Sequence, residues 1–188
     1  MITIRAYDIH VEQLFEKMRR LHQALSEAGI SYRVVGGMAV FLQVSARDPD
    51  NARLTRDVDV AVDRRELAKI TAAAERHGFR YRHAAGIDML VDANEPKARS
   101  AIHLIFVREK VRPDYLEAVP DFSEATISAE GVLLAPVADL VRMKLTSFRL
   151  KDQVHIQDMD SVDLITREIE TGLPDVLRQR LAQVRATK

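Results

Sequence analysis

The chain has 188 residues, enough for one large domain or a compact domain with a helical appendage. Its 47 % hydrophobic content excludes general disorder, and the absence of cysteine excludes disulfides and thiolate-based metal or nucleophile sites. Lys plus Arg and Asp plus Glu each count 28, so whole-molecule charge offers no argument for nucleic-acid binding. No apolar run approaches the ~20 residues that cross a bilayer, and Met1 is followed by nothing like a signal peptide. A cytoplasmic protein without a membrane partner is the expectation.

Apolar residues at Val11, Leu14, Phe15, Met18, Leu21, Ala24, Leu25 and Ala28 predict an amphipathic helix over 11–28, stopped by Gly29. Tyr32–Val35 reads as a strand entering the Gly36-Gly37 turn, with a helix from Met38 to Val44 behind it. The polar stretch 45–53, with Asp48-Pro49-Asp50, reads as a surface loop. Val58–Val62 is a strand, Asp63 a cap for a helix over 64–77, and Gly78 its end. Strands over 79–82, 87–91 and 101–107 suggest an antiparallel continuation, with a turn across 92–99. Leu133-Leu134-Ala135 suggests a short edge element, followed by helices over 137–150, 160–169 and 176–184. The fold class is α/β (α+β), a mixed sheet flanked by helices. Residues 1–135 form the core, and 136–188 form a C-terminal helical region packed on it.

Two short elements carry chemistry. Gly36 and Gly37 lack Cβ atoms, so their backbone can come close to an anion, and a following helix adds a favourable dipole. A plain tight turn would use the same residues. Neither a Lys-Ser/Thr ending nor a GxGxxG pattern is present. Asp57 and Asp59 stand two positions apart and so share one strand face. Two neighbouring carboxylates repel unless a cation lies between them, and hard oxygen donors suit Mg2+ or Mn2+. Facing solvent at a strand entrance is their alternative.

Val35-Gly36-Gly37-Met38-Ala39-Val40, Thr55-Arg56-Asp57-Val58-Asp59-Val60 and Met143-Lys144-Leu145 together resemble the nucleotidyltransferase superfamily related to DNA polymerase beta. Within it the chain looks like the bacterial AbiEii/AbiGii-like toxin and minimal nucleotidyltransferase branch, over roughly residues 20–165. The resemblance implies a nucleotidyltransferase-like core that uses an NTP as substrate. Gly36, Gly37 and Lys144 would hold the triphosphate, and Asp57 and Asp59 would bind Mg2+ or Mn2+. An acceptor hydroxyl, on RNA or protein, would attack the α-phosphorus and release pyrophosphate. The toxin-like branch also implies a cognate antitoxin as partner; oligomerisation is left open.

That family supplies a third acidic residue from a neighbouring strand, where this chain has His103. Histidine can act as a ligand or a base, but it brings no negative charge to offset two cations. His103 is therefore a catalytic candidate with Asp57 and Asp59. Asp88 would join the metal site if its strand pairs beside 101–107 in the right register, since a one-residue slip reverses its face. Loop composition accounts for Asp92 and Glu95.

Along the predicted helix 137–150 and beyond, Arg142 with Arg149 and Lys144 with Lys151 fall into two basic rows. Asp152, His155 and Asp158 follow at three-residue spacing, as a polar network, a metal site or a solvated helix face. Two other functions stay open beside the transferase. One is a catalytically weak or inactive nucleotide-binding or regulatory protein, because of His103. The other is a protein-interaction module built on the apolar helical third.

Overall fold

The computed structural model describes residues 4–55, 57–95 and 101–187, with side chains from residue 11 onward. Helix α1 (Ile4–Glu27) leads into β1 (Tyr32–Val35), α2 (Gly36–Ser45) and β2 (Val58–Val62). Helix α3 (Leu67–Arg76), the hairpin β3 (Phe79–Ala84) and β4 (Ile87–Asp92), and β5 (Ile102–Phe106) follow. Two short strands, β6 (Thr126–Ile127) and β7 (Leu133–Leu134), precede α4 (Val137–Ser147), α5 (Leu150–Ser161), α6 (Arg167–Thr171) and α7 (Asp175–Arg185). Among the described residues the strands form one mixed sheet in the order β3-β4-β5-β2-β1-β7-β6. Pairing is parallel at β2/β5 and β1/β7 and antiparallel elsewhere.

The register divides the sheet into two faces. Val58, Val60 and Val62 pair with Ile102, Leu104 and Phe106, and all six join the cluster that contains Leu21, Leu25 and Ile70. Asp59 and Ala61 pair with His103 and Ile105 on the other face. The same hydrophobic cluster takes in Leu140 and Leu145 of α4, Ile156 of α5 and Leu181 of α7, each fully buried. Full burial of one such side chain contributes roughly 1.5–3 kcal/mol, which fixes the C-terminal helices against the sheet.

Several expectations need correction. Strand β7 is not an edge, because β6 pairs outside it. Helix α2 begins at Gly36 itself, with Val35 as its N-cap, so the glycines form its first turn. Asp63 caps a 3-10 turn over Arg64–Glu66 that precedes α3. The helix expected over 137–150 stops at Phe148, which takes a left-handed conformation with φ +49°. That break puts Arg149 at the N-cap of α5, so Arg142 with Arg149 and Lys144 with Lys151 do not line one continuous helix. The helix expected over 160–169 is really the end of α5, a bend with Asp163 at φ +56°, and the start of α6. The turn expected over 92–99 falls partly outside the described residues, as does Arg56. No helix among the described residues is long and apolar enough to cross a membrane.

Candidate functional site

The site lies where β1 turns into α2, beside the start of β2. Gly36 has φ +70°, and a Cβ built on it would lie 2.1 Å from Asp59 Oδ2. Only glycine lets the Asp59 carboxylate sit against this backbone. Gly37 differs, since a Cβ there would meet Thr55 Oγ1 at 3.0 Å and His155 Cε1 at 3.3 Å. Gly36 lines the cleft, whereas Gly37 is packed behind it. Val35 offers no side-chain cap, so no side chain of this residue competes for the first amides of α2.

Parallel pairing of β2 with β5 puts His103 directly beside Asp59, and His103 Nδ1 lies 3.2 Å from Asp59 Oδ1. The Asp59 carboxylate raises the His103 pKa above its ordinary value, against a smaller opposing effect of burial. With Nδ1–H donating to Asp59, Nε2 keeps its lone pair in the neutral ring. Asp57 is exposed at the strand entrance, its amide held by Thr55 Oγ1 at 3.4 Å. Asp57, Asp59, His103 and Gly36 thus line one cleft of about 540 Å3, along with Lys144, Arg149 and Lys151.

Asp88 lines the same cleft but is not in register with Asp59 and His103. Strand β4 does pair with β5, but in a register that sets Asp88 opposite Leu104 and Met89 opposite His103. Asp88 therefore belongs to the face opposite Asp59. Its Oδ1 accepts from Tyr81 Oη and lies 2.8 Å from His83 Nδ1, and its Oδ2 lies 3.7 Å from Arg64. Asp92 is likewise engaged, by Arg20 and the amide of Asn94.

The α4–α5 elbow forms the facing wall. Asp152 is fully buried and accepts from Lys144 Nζ (3.2 Å), Ser147 Oγ (2.8 Å) and Arg149 Nε (2.7 Å). Burial works against its charge, but Arg149, Lys144 and Ser147 prevail and hold its pKa at about 2. Burial draws the Lys144 pKa down, opposed by Asp152 and, from across the cleft, by Asp59. Arg180 of α7 braces the elbow by donating to the carbonyls of Leu145 (2.6 Å) and Thr146 (2.9 Å), its guanidinium 4.7 Å from the Phe148 ring centroid. His155 has a buried Nδ1 without a hydrogen-bond partner among the described residues, and burial followed by Lys144 lowers its pKa to about 4. Asp158 pairs with Arg53 at 3.0 Å, so the trio at 152, 155 and 158 splits among three environments.

Sequence reasoning missed Asp152 as the anchor of Lys144 and Arg149, and Arg180 as the elbow's brace. The three-residue spacing of Arg149 and Asp152 was a signal for the first; nothing local marked the second.

Among the described residues no cluster of three His, Cys, Asp or Glu is arranged to hold a metal. What remains is a pair of carboxylates, with one oxygen of Asp59 turned to His103. Such a donor set fits Mg2+ or Mn2+ only in the manner of sites that take one or two carboxylates and draw their other ligands from substrate phosphates and water.

No family model and no curated protein matches the chain. Solved structures do. Antibiotic-resistance factor ANT(2'')-Ia in solution superposes with a TM-score of 0.56 at 15% identity, over 94% of this chain and 95% of that one. The crystal structure of ANT(2'')-Ia with adenylyl-2''-tobramycin gives 0.53 at 13% identity, over 92% and 97%. An antigenic nucleotidyltransferase-like protein from Paracoccidioides brasiliensis gives 0.57 at 17% identity, over 94% and 89%. The order of strands, the glycine-started helix and the paired aspartates thus sit in a nucleotidyltransferase fold.

Proposed function

We propose that the chain transfers a nucleoside monophosphate from an NTP to an acceptor hydroxyl. The observation that carries this reading is the convergence of Asp57, Asp59 and His103 on a cleft that starts at the uncapped first turn of α2. That turn and Lys144 receive the triphosphate, where amides and an ammonium offset its charge. Arg149, held by Asp152, adds a second cation on the same wall. Asp57 and Asp59 hold the divalent cation, which when bound offsets charge on the phosphoryl oxygens.

Asp59 orients His103 through Nδ1, so Nε2 takes the proton of the acceptor hydroxyl. The hydroxyl oxygen then forms a bond to the α-phosphorus. The bond from that phosphorus to the bridging oxygen breaks, and its electron pair leaves with pyrophosphate. In this role histidine replaces a carboxylate as base while leaving the site one negative charge short.

The test is calorimetric titration of ATP and the other three NTPs with Mn2+ into the protein, with pyrophosphate release followed in parallel. Binding of one nucleotide that Asp57→Asn and Asp59→Asn abolish, together with His103-dependent pyrophosphate release, is the expected result. Correctly folded protein that binds neither Mn2+ nor any NTP refutes it. Tight binding without release over a broad set of acceptors favours a nucleotide-binding regulator, the reading that the engaged Asp59 oxygen supports.

A further inference from the structure

Besides Asp57, Asp59 and His103, the chamber of this cleft is lined by residues of the loop 109–119 and of the β3–β4 hairpin. The loop is closed at its base, because Arg108 N donates to Val119 O and Val119 N donates to Glu109 O, both at 2.9 Å. Arg108 also pairs with Asp63 and Asp121, which ties this base to the end of β2. The chamber wall is therefore a built part of the fold.

Its charges are distributed unevenly. Glu109 is engaged by Arg64 through two hydrogen bonds of 2.7 and 2.8 Å. Glu117 accepts from Arg142 at 3.1 and 3.2 Å. Asp88, also in the lining, is held by Tyr81 and His83. Lys110 and Arg112 line the same chamber, are exposed, and have no ion-pair or hydrogen-bond partner for their side chains among the described residues. Val111, 49% exposed, and Ile87, 45% exposed, belong to the same lining. A polycation entering here finds Glu109, Glu117 and Asp88 already engaged in hydrogen bonds, while an anion finds two unpaired cations beside an apolar surface.

We infer that the acceptor is anionic: a hydroxyl-bearing sugar flanked by phosphate, held by Lys110 and Arg112 with its apolar face on Val111 and Ile87. This deepens the transferase reading and rests on it for the identity of the chamber. It makes the acceptor opposite in charge to tobramycin, the aminoglycoside named in the ANT(2'')-Ia complex. The phosphate has two sources, the end of a nucleic-acid strand or a free sugar phosphate.

The experiment measures acceptor binding apart from nucleotide chemistry. A fluorescent, 5′-phosphorylated RNA 12-mer with a free 3′-hydroxyl is titrated with the wild type and with the K110E/R112E double variant, with ribose 5-phosphate as competitor. Tobramycin binding is measured separately by calorimetry. Wild-type binding of the RNA, weakened about tenfold or more in the double variant and falling with added salt, is the expected result. Displacement of the RNA by ribose 5-phosphate assigns the site to a sugar phosphate, and its failure to displace assigns the site to a strand. Ribose 5-phosphate binding without RNA binding, measured by direct titration, also supports the anionic class. Unchanged binding of both probes in the double variant, binding of neither by the wild type, or tighter binding of tobramycin than of either overturns the inference. Mn2+-ATP titrated into the same two proteins reports on the transferase reading independently. Its failure to bind the wild type refutes that reading, while its equal binding to both proteins shows the nucleotide wall intact.

Discussion

Gly36→Ala tests the core of the site, because it places a methyl where Asp59 now lies. The built Cβ is 2.1 Å from Asp59 Oδ2 and 2.9 Å from Cγ, so the carboxylate has to swing away. Backbone strain at φ +70° adds roughly 1–2 kcal/mol for a residue with a side chain. The displaced Asp59 also loses His103, a charge-assisted contact whose partly exposed setting keeps it near the low end of about 1.5–3 kcal/mol. A total near 2–4 kcal/mol lowers the melting temperature by about 5–12 °C for a chain of this length. Gly37→Ala is the control. Its contacts of 3.0–3.3 Å are to side chains that give by a few tenths of an ångström. The roughly 1 kcal/mol by which alanine exceeds glycine in a helix offsets them. Differential scanning fluorimetry on both variants, with His103 followed by NMR titration, checks the argument. Equal melting temperatures for the two variants, with an unaltered His103 titration, refute it.

Three further outcomes follow from the same contacts. Because Asp59 raises the His103 pKa, the bond between them stabilises the fold fully below the ordinary pH of ~6.5 and loses that contribution as pH rises through the folded value; Asp59→Asn should shift the NMR titration of His103 downward. His155 behaves oppositely: its folded pKa of about 4 means the unfolded chain binds its proton first, so stability falls as pH drops from ~6.5 towards 4. The loss, about 1–2 kcal/mol after discounting for the exposed part of the ring, should be absent from the urea-unfolding profile of His155→Gln. Asp152→Ala leaves Lys144 buried without its counter-charge, a cost of about 3–5 kcal/mol that Lys144→Met should largely relieve in the double variant, read from melting temperatures.

The parts of this fold that sequence could deliver are those set by period and local chemistry. Alternation in Val58-Asp59-Val60-Ala61-Val62 fixed both the strand and the face of its aspartate, and matching parity placed His103 opposite. Asp88 shows where that reasoning stops, since membership of a neighbouring strand says nothing of register, and the observed pairing sends it to the other face. Phe148 escaped detection for another reason. Neither glycine nor proline marks the break, and a bulky residue at φ +49° is a conformation that local preference argues against. It is sustained by tertiary contacts: Arg180 satisfies the released carbonyls of α4, and Asp152 caps the first turn of α5.

The same elbow explains why Lys144 and Arg149 reach one carboxylate although their helix breaks between them. A continuous helix would carry them five residues apart, about 500° of rotation, and so on different sides. The left-handed turn at Phe148 instead folds Arg149 back onto Asp152, the carboxylate that also holds Lys144. One buried anion thereby gathers two cations on the cleft wall facing Asp57 and Asp59. On the proposed transferase reading, a metal-bound triphosphate would meet the carboxylates through its cation and the two cations through its phosphates. The histidine at position 103 then marks the one departure from that balance. On the proposed transferase reading, a His103 that takes an oxygen of Asp59 would give up metal affinity and gain an oriented base, so His103→Asp should tighten Mn2+ binding while slowing pyrophosphate release. If that variant leaves both unchanged, His103 is a structural partner of Asp59 and the base lies elsewhere.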